Sequence, residues 1–287
     1  MPSSGGTTAK RGRAHVTKFA SEEDEWRAYL DGTHPLLLRG RRLFQLVPSS
    51  PRCKMCAAPF AGPGRFIFGR MGFAPWDKHP GICTRCIILL RDQEVSGAEV
   101  EISFLFADVR RSSDLARRVG TMEFTRLMQR FYSTANTVLQ ANDAILDKFV
   151  GDEVVGFFLP MLTGLNHAGA AVHAATELLR ATGHGDPDGP WLPLGAGVHT
   201  GTTFVGMVSS GSTSEFTAFG DPINVAAHLA AQAGPGEILV TGDAMAQAGL
   251  DTDGLEARHL SLKGHATEAF VVPLSRAAAA GRPGAGT

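Results

Sequence analysis

Two apolar, β-rich runs, residues 144–148 and 154–159, flank the dipeptide Gly151-Asp152. Glycine tolerates the positive φ of a tight turn, so the stretch reads as strand, turn, strand. A hairpin cannot bury its apolar face alone, and the rest of the chain supplies the cover. Residues 101–107 (EISFLFA) form a compact apolar strand. Phe124, Leu127, Met128, Phe131, Val138 and Leu139 recur at helical spacing and predict an amphipathic helix. A helix over about 167–181, strands at 194–199 and 203–208, a helix entered at Pro222 and running to about 233, and late strands at 237–240 and 269–272 follow. This alternation predicts an α/β or α+β domain with helices packed over a sheet.

All four cysteines lie ahead of that region, as Cys53-Lys-Met-Cys56 and Cys83-Thr-Arg-Cys86, with 26 residues between the pairs. Each C-x₂-C can turn two thiolates toward one ion, and two such knuckles complete a tetrahedral sulfur site. The reading is a zinc-ribbon-like module holding structural Zn²⁺, with coincidental thiols or disulfides as the alternative. Four thiolates leave no open coordination position, so the module's expected role is structural or as a protein-binding surface rather than catalytic.

Charge divides at the same place. Residues 1–96 carry 15 Lys+Arg against 8 Asp+Glu, and residues 97–287 carry 12 against 20. A boundary near Ser96–Gly97 follows, with a disordered N-terminus over 1–20, a helical and four-cysteine unit over 21–96, a sheet domain over 97–276 and a disordered tail over 277–287. Within the second of these, Ser21 followed by Glu22, Glu23 and Asp24 predicts a capped helix through Trp26 and Leu30. The net charge of −1 gives no overall field toward nucleic acid and argues against that partner despite the basic N-terminal unit. No apolar run is long enough to span a bilayer, and the first residues lack a secretory signal's apolar core, so the expected location is the cytoplasm without membrane attachment.

Asp108 ends the apolar strand and Asp152 occupies the hairpin turn. Two carboxylates at neighbouring strand ends offer the hard oxygen ligands that a pair of Mg²⁺ ions needs, although either alone is a common turn residue. Here the chain resembles the class III nucleotidyl cyclases. FADV, KFVGDEVVGFF, GAGVHTG, FTAFGDPINVAAHLA and LKG follow in that family's order across about residues 99–273. The cysteine module, more loosely, is similar to one that accompanies some bacterial cyclases.

The resemblance implies a ferredoxin-like α+β domain, with helices packed on a mainly antiparallel sheet, acting as a head-to-tail homodimer with composite active sites. It implies conversion of ATP to 3′,5′-cyclic AMP and pyrophosphate in second-messenger signalling. Asp108 and Asp152, with the Val109 carbonyl, would hold two Mg²⁺ or Mn²⁺ ions per site. The partner would contribute Lys148 and Thr217 to read the base, Asn224 and the residue at 228 to the reacting centre, and Lys263 to the γ-phosphate. A Lys/Thr pair resembles the adenylate-specific branch, because an ammonium donates to adenine N1 and a hydroxyl can accept from its amine.

Two departures from the family stand out. Position 228 is His where the family has a transition-state Arg, and imidazole lacks the guanidinium fork and a permanent charge. Arg111 stands where related sequences carry a small glycine, so it either crowds the triphosphate or supplies the missing charge. The alternatives are a degenerate domain that binds nucleotide and regulates a partner, or a cyclase with another nucleotide preference. His167, His173 and His184 have no ligand partner in register and receive no role, and His199 reads as structural.

Overall fold

The structure is a computed structural model that describes residues 19–77, 79–91, 97–210, 213–262 and 265–277. In chain order the elements are α1 (Glu22–Leu30), α2 (Pro35–Phe44), α3 (Gly62–Phe68), β1 (Pro75–Trp76), β2 (His79–Cys83), α4 (Thr84–Arg91), β3 (Gly97–Val109), α5 (Ser112–Val119), α6 (Thr121–Ala141), β4 (Ile145–Val150) and β5 (Glu153–Phe158). They continue as α7 (Pro160–Thr163), α8 (His167–Ala181), β6 (Leu194–Ser210), β7 (Thr213–Phe219), α9 (Asp221–Gln232), β8 (Ile238–Thr241), α10 (Gly242–Ala248), β9 (Glu256–Leu262), β10 (His265–Val272) and α11 (Leu274–Ala277).

The main sheet runs in the order β4-β5-β3-β6-β8-β10-β9, with β7 pairing β6. Among the described residues only β6 and β8 pair in parallel; the other ladders are antiparallel. Helices and an antiparallel-rich sheet make an α+β fold. Residues alternate across β3, so Ile102, Phe104 and Phe106 join one apolar cluster while Leu105, Ala107 and Val109 join another. The second cluster is closed by α6 and α8, through Phe131, Leu139, Leu178 and Leu179 among others. On the opposite face α9 lies on β6. Gly197 permits this approach, because a Cβ there would stand 2.4 Å from the backbone nitrogen of Ala230.

The sequence predicts separate strands at 194–199 and 203–208, whereas β6 is one strand of 17 residues. The intervening Thr-Gly-Thr stretch resembles a turn locally, yet it pairs residue for residue with β3, Ile102 opposite Gly201. Long-range pairing overrides the local signal.

The N-terminal segment is mainly helical, with the short β1–β2 ladder as its own sheet. Ser21 caps α1 by accepting from the Asp24 N–H at 3.1 Å. Trp26, Tyr29 and Leu30 are buried in the same cluster as Ile102, Phe104 and the four cysteines. Arg27 Nε donates to the Glu99 carbonyl at 3.0 Å. The expected boundary adjoins residues 92–96, outside the described set, but the apolar core does not part there. Residues 1–18 and 278–287 also lie outside it.

Candidate active site and cysteine cluster

β3 and β5 pair so that Asp108 stands opposite Glu153. The Val109 N–H donates to the Asp152 carbonyl at 3.2 Å, which ties the two aspartate positions together. Gly151 takes φ +61 in the turn, and the Tyr132 hydroxyl of α6 donates to its carbonyl. Beside Asp152 a cavity of about 560 Å³ opens between α5, α6 and the hairpin turn, with Ser112, Ser113, Gln129 and Tyr132 among its polar lining.

Arg110, which sequence reasoning passed over for Arg111, is ion-paired with Asp108. Its Nη1 donates to the carbonyls of Ala231 at 2.9 Å and Ala233 at 3.1 Å, at the end of α9. Burial lowers the Arg110 pKa against the charges of Asp152 and Glu153. Burial, followed by the charge of Asp152, pushes Glu153 up to about 6. Arg111 is exposed at φ +54, immediately before α5, and lines a separate cavity of about 580 Å³ with Arg110 and Arg118.

A third cavity, of about 120 Å³, lies on the Phe104 face of the sheet. Phe104, Phe106 and Phe157 give it an apolar wall, and Asp147, Lys148 and Glu153 add charge. Lys148 Nζ is 3.0 Å from Asp147 Oδ2, and the Thr217 hydroxyl donates to Asp147 Oδ1 at 2.9 Å. The two residues singled out for base reading therefore meet on one carboxylate. Asn224 is exposed and His228 half-buried, one turn apart on α9, and their neighbour Ile223 lines the same cavity. Lys263 lies outside the described residues.

The four cysteines are buried free thiols whose sulfurs all lie within 4.8 Å of one another. Cys53 and Cys86 sulfurs are 4.0 Å apart, and those of Cys56 and Cys83 are 3.7 Å apart. Zinc–sulfur bonds of about 2.3 Å place tetrahedral sulfurs about 3.8 Å apart, so the donor set fits one zinc ion. Hydrogen bonds from Cys56, Cys83 and Cys86 hold the Cys53 thiol well below its usual pKa, and bonding to Cys53 pushes Cys83 and Cys86 up. Four buried sulfurs that cannot all ionise together are suited to a cation that removes their mutual repulsion. The Cys83 N–H donates to Cys53 Sγ at 3.3 Å, which orients the first knuckle against the second.

His167 has a structural place that sequence reasoning did not assign. Its Nδ1 is 2.8 Å from Ser103 Oγ and its Nε2 is 2.9 Å from Gln247 Nε2. The same amide nitrogen lies 2.8 Å from Glu101 Oε1, so Gln247 donates in both directions and His167 accepts at Nε2 as a neutral ring. His199 Nδ1 meets Thr241 Oγ1 at 2.9 Å, and His184 Nε2 accepts from the Leu194 N–H at 3.0 Å.

Compared with known proteins, residues 95–272 match the family described as the adenylate and guanylate cyclase catalytic domain. An adenylate cyclase of Anabaena cylindrica is 24% identical over 146 residues, covering 47% of this chain and 28% of that protein. Guanylate cyclase 2G of Mus musculus is 27% identical over 160 residues, covering 52% of this chain and 14% of that protein. The chain thus spans less than a third of either relative. The crystal structure of the guanylyl cyclase Cya2 superposes with a TM-score of 0.55 at 20% identity, over 62% of this chain and 93% of that one. The adenylyl cyclase CyaB from P. aeruginosa gives 0.53 at 22% identity, over 62% and 96%. At these identities the likeness establishes the fold.

Proposed function

Because this chain belongs to the adenylate and guanylate cyclase catalytic domain family, we propose that it converts ATP to 3′,5′-cyclic AMP and pyrophosphate. The observation that carries the choice of ATP is the meeting of Lys148 and Thr217 beside the aromatic cavity of about 120 Å³. The Lys148 ammonium offers a donor to the N1 acceptor of adenine, whereas guanine presents an N–H there. Phe104, Phe106 and Phe157 supply the apolar wall that a purine ring stacks or packs against.

Asp108 and Asp152, with the Val109 carbonyl, are the residues that would hold two Mg²⁺ or Mn²⁺ ions, and their all-oxygen donor set fits a hard cation. When bound, the ions supply charge at the α-phosphate and acidify the ribose 3′-hydroxyl. Arg110 keeps the Asp108 carboxylate fixed at the strand end. Asn224 and His228, one turn apart on α9, would orient the ribose and offset developing charge, and Lys263 would serve the γ-phosphate. The cavity beside Asp152 and the one beside Lys148 lie on opposite faces of the sheet, and among the described residues none lines both. That separation supports a homodimer in which the metal residues of one protomer meet the base-reading residues of its partner. A structural zinc at Cys53, Cys56, Cys83 and Cys86 completes the proposal.

Purified protein incubated with each of the four nucleoside triphosphates and Mn²⁺, with cyclic products read by mass spectrometry, tests this reading. Cyclic AMP from ATP as the main product is the expected result; a different main product overturns the choice of base. His228 in place of the transition-state arginine favours a second reading, a nucleotide-binding regulatory domain. Nucleotide binding without any cyclic product would select it.

A further inference from the structure

The pairing of β4 with β5 slips at one point. Leu146 stands opposite Gly156 and Lys148 opposite Val155, which leaves Asp147 as the extra residue of a bulge. In an unbroken strand consecutive side chains point to opposite faces, and a bulge re-aims one of them. Asp147 and Lys148 accordingly both line the aromatic cavity. The Asp147 side chain is 12% exposed, with one oxygen 3.0 Å from the Lys148 ammonium and the other accepting the Thr217 hydroxyl at 2.9 Å.

We propose that Asp147 is a positioning residue that sets the purine preference of this pocket, by fixing which way the Thr217 hydroxyl points. The inference rests on the reading of this cavity as the base site. A free threonine hydroxyl can donate or accept, so alone it would serve a 6-aminopurine and a 6-oxopurine alike. An ionised carboxylate only accepts. Thr217 therefore commits its one proton to Asp147 and turns only lone pairs toward a ligand. The amine of a 6-aminopurine meets those lone pairs as a donor, whereas the carbonyl of a 6-oxopurine meets them oxygen to oxygen. Rejection through an unmatched polar contact discriminates more strongly than a change in pocket size. The second Asp147 oxygen holds the long Lys148 chain at the same rim, so less freedom is lost when its ammonium engages the ring.

Asp147→Asn keeps the shape and reverses the logic, because an amide can donate to Thr217 Oγ1 and release the hydroxyl proton toward the ligand. The test is competition between ATP and GTP with Mn²⁺, read as the ratio of cyclic products. Displacement of a fluorescent N-methylanthraniloyl-ATP by ATP or GTP gives the same ratio without turnover. The preference for ATP is expected to fall about tenfold in Asp147→Asn, the scale of one re-aimed hydrogen bond. GTP should be handled at least as well as before, and Asp147→Glu should restore much of the preference. Equal losses on both nucleotides would overturn the proposal and leave Asp147 as an anchor between β4 and β7. Thr217→Val, and Lys148→Ala read by displacement alone because it does not turn over, separate the role of Asp147 from that of the base site. A ratio that moves in these variants and not in Asp147→Asn overturns the role of Asp147 alone. A ratio that moves in none of the three removes the base-site reading together with it.

Discussion

Lys54, the residue after the first cysteine, is ion-paired with Asp143, whose side chain is only 7% exposed. Asp143 adopts φ +63 in the turn that delivers the chain into β4, the strand that carries Asp147 and Lys148. The cysteine cluster thus holds the entry of a strand that lines the proposed base pocket. The shared apolar core around Trp26 and Ile102 adds a second, larger connection.

Stripping the proposed zinc from the cluster is therefore expected to lower the melting temperature of the entire chain in one transition. Calorimetry with and without a zinc chelator checks this, and an unchanged upper transition would show that the two segments melt apart. Lys54→Met is expected to cost about 1–2 kcal/mol, since Asp143 stays buried without its partner while the exposed lysine end limits the loss. Metal analysis of the purified chain should find one zinc per protomer.

Asp108→Asn and Asp152→Asn are each expected to reduce turnover by several orders of magnitude while the far-ultraviolet circular dichroism stays native. Near-normal rates in either variant would remove that residue from the metal site.

Asp108→Ala and Lys148→Ala chains, each inactive alone, are expected to recover activity on mixing. Random pairing makes half the dimers mixed, each with one whole site of two, so recovery should approach about a quarter of the natural rate. Confirmed mixed dimers without recovery would place each site within one chain.

Position 228 sets a rate test. His228→Arg is expected to raise kcat on ATP about tenfold or more, with little change in KM, because a permanent cation acts on charge that develops only during the reaction. Arg111 lines a cavity apart from the one beside Asp152. Arg111→Gly is therefore expected to spare activity and, by relieving its left-handed backbone, to raise stability by about 1 kcal/mol. The opposite pair of outcomes would assign the missing charge to Arg111.

The buried ring of His167 predicts a pH effect on stability. Burial depresses its pKa to about 4, whereas an unfolded histidine titrates near the ordinary value of 6.5. The unfolded chain binds the extra proton between those values, so this contribution is full above about pH 6.5 and is lost as pH falls toward 4, about 3 kcal/mol in all. His167→Gln should flatten that limb of a denaturation series. An unchanged slope would mean that the ring is not held neutral.

Much of this protein was written into local sequence. The β4–β5 hairpin, the long α6 and the helix opened by Pro222 follow from residue periodicity and turn chemistry, which act over a few neighbours and need no partner. The cysteine spacing likewise marked the four sulfurs that gather within 4.8 Å of one another. The motif order identified the family because each motif is a short, contiguous string.

Tertiary structure decided the rest. Nothing in the string Leu-Asp-Lys marks Asp147, since a bulge is a property of two strands in register, and Thr217 lies 70 residues away. The continuity of β6 through Gly201 was decided by β3, and the choice of Arg110 over its neighbour by the end of α9. Lys54 and Asp143 meet because two segments share one apolar core, which no charge count along the chain reveals. Propensity and spacing act along the backbone, whereas a hydrogen bond between distant side chains exists only after packing has fixed both ends.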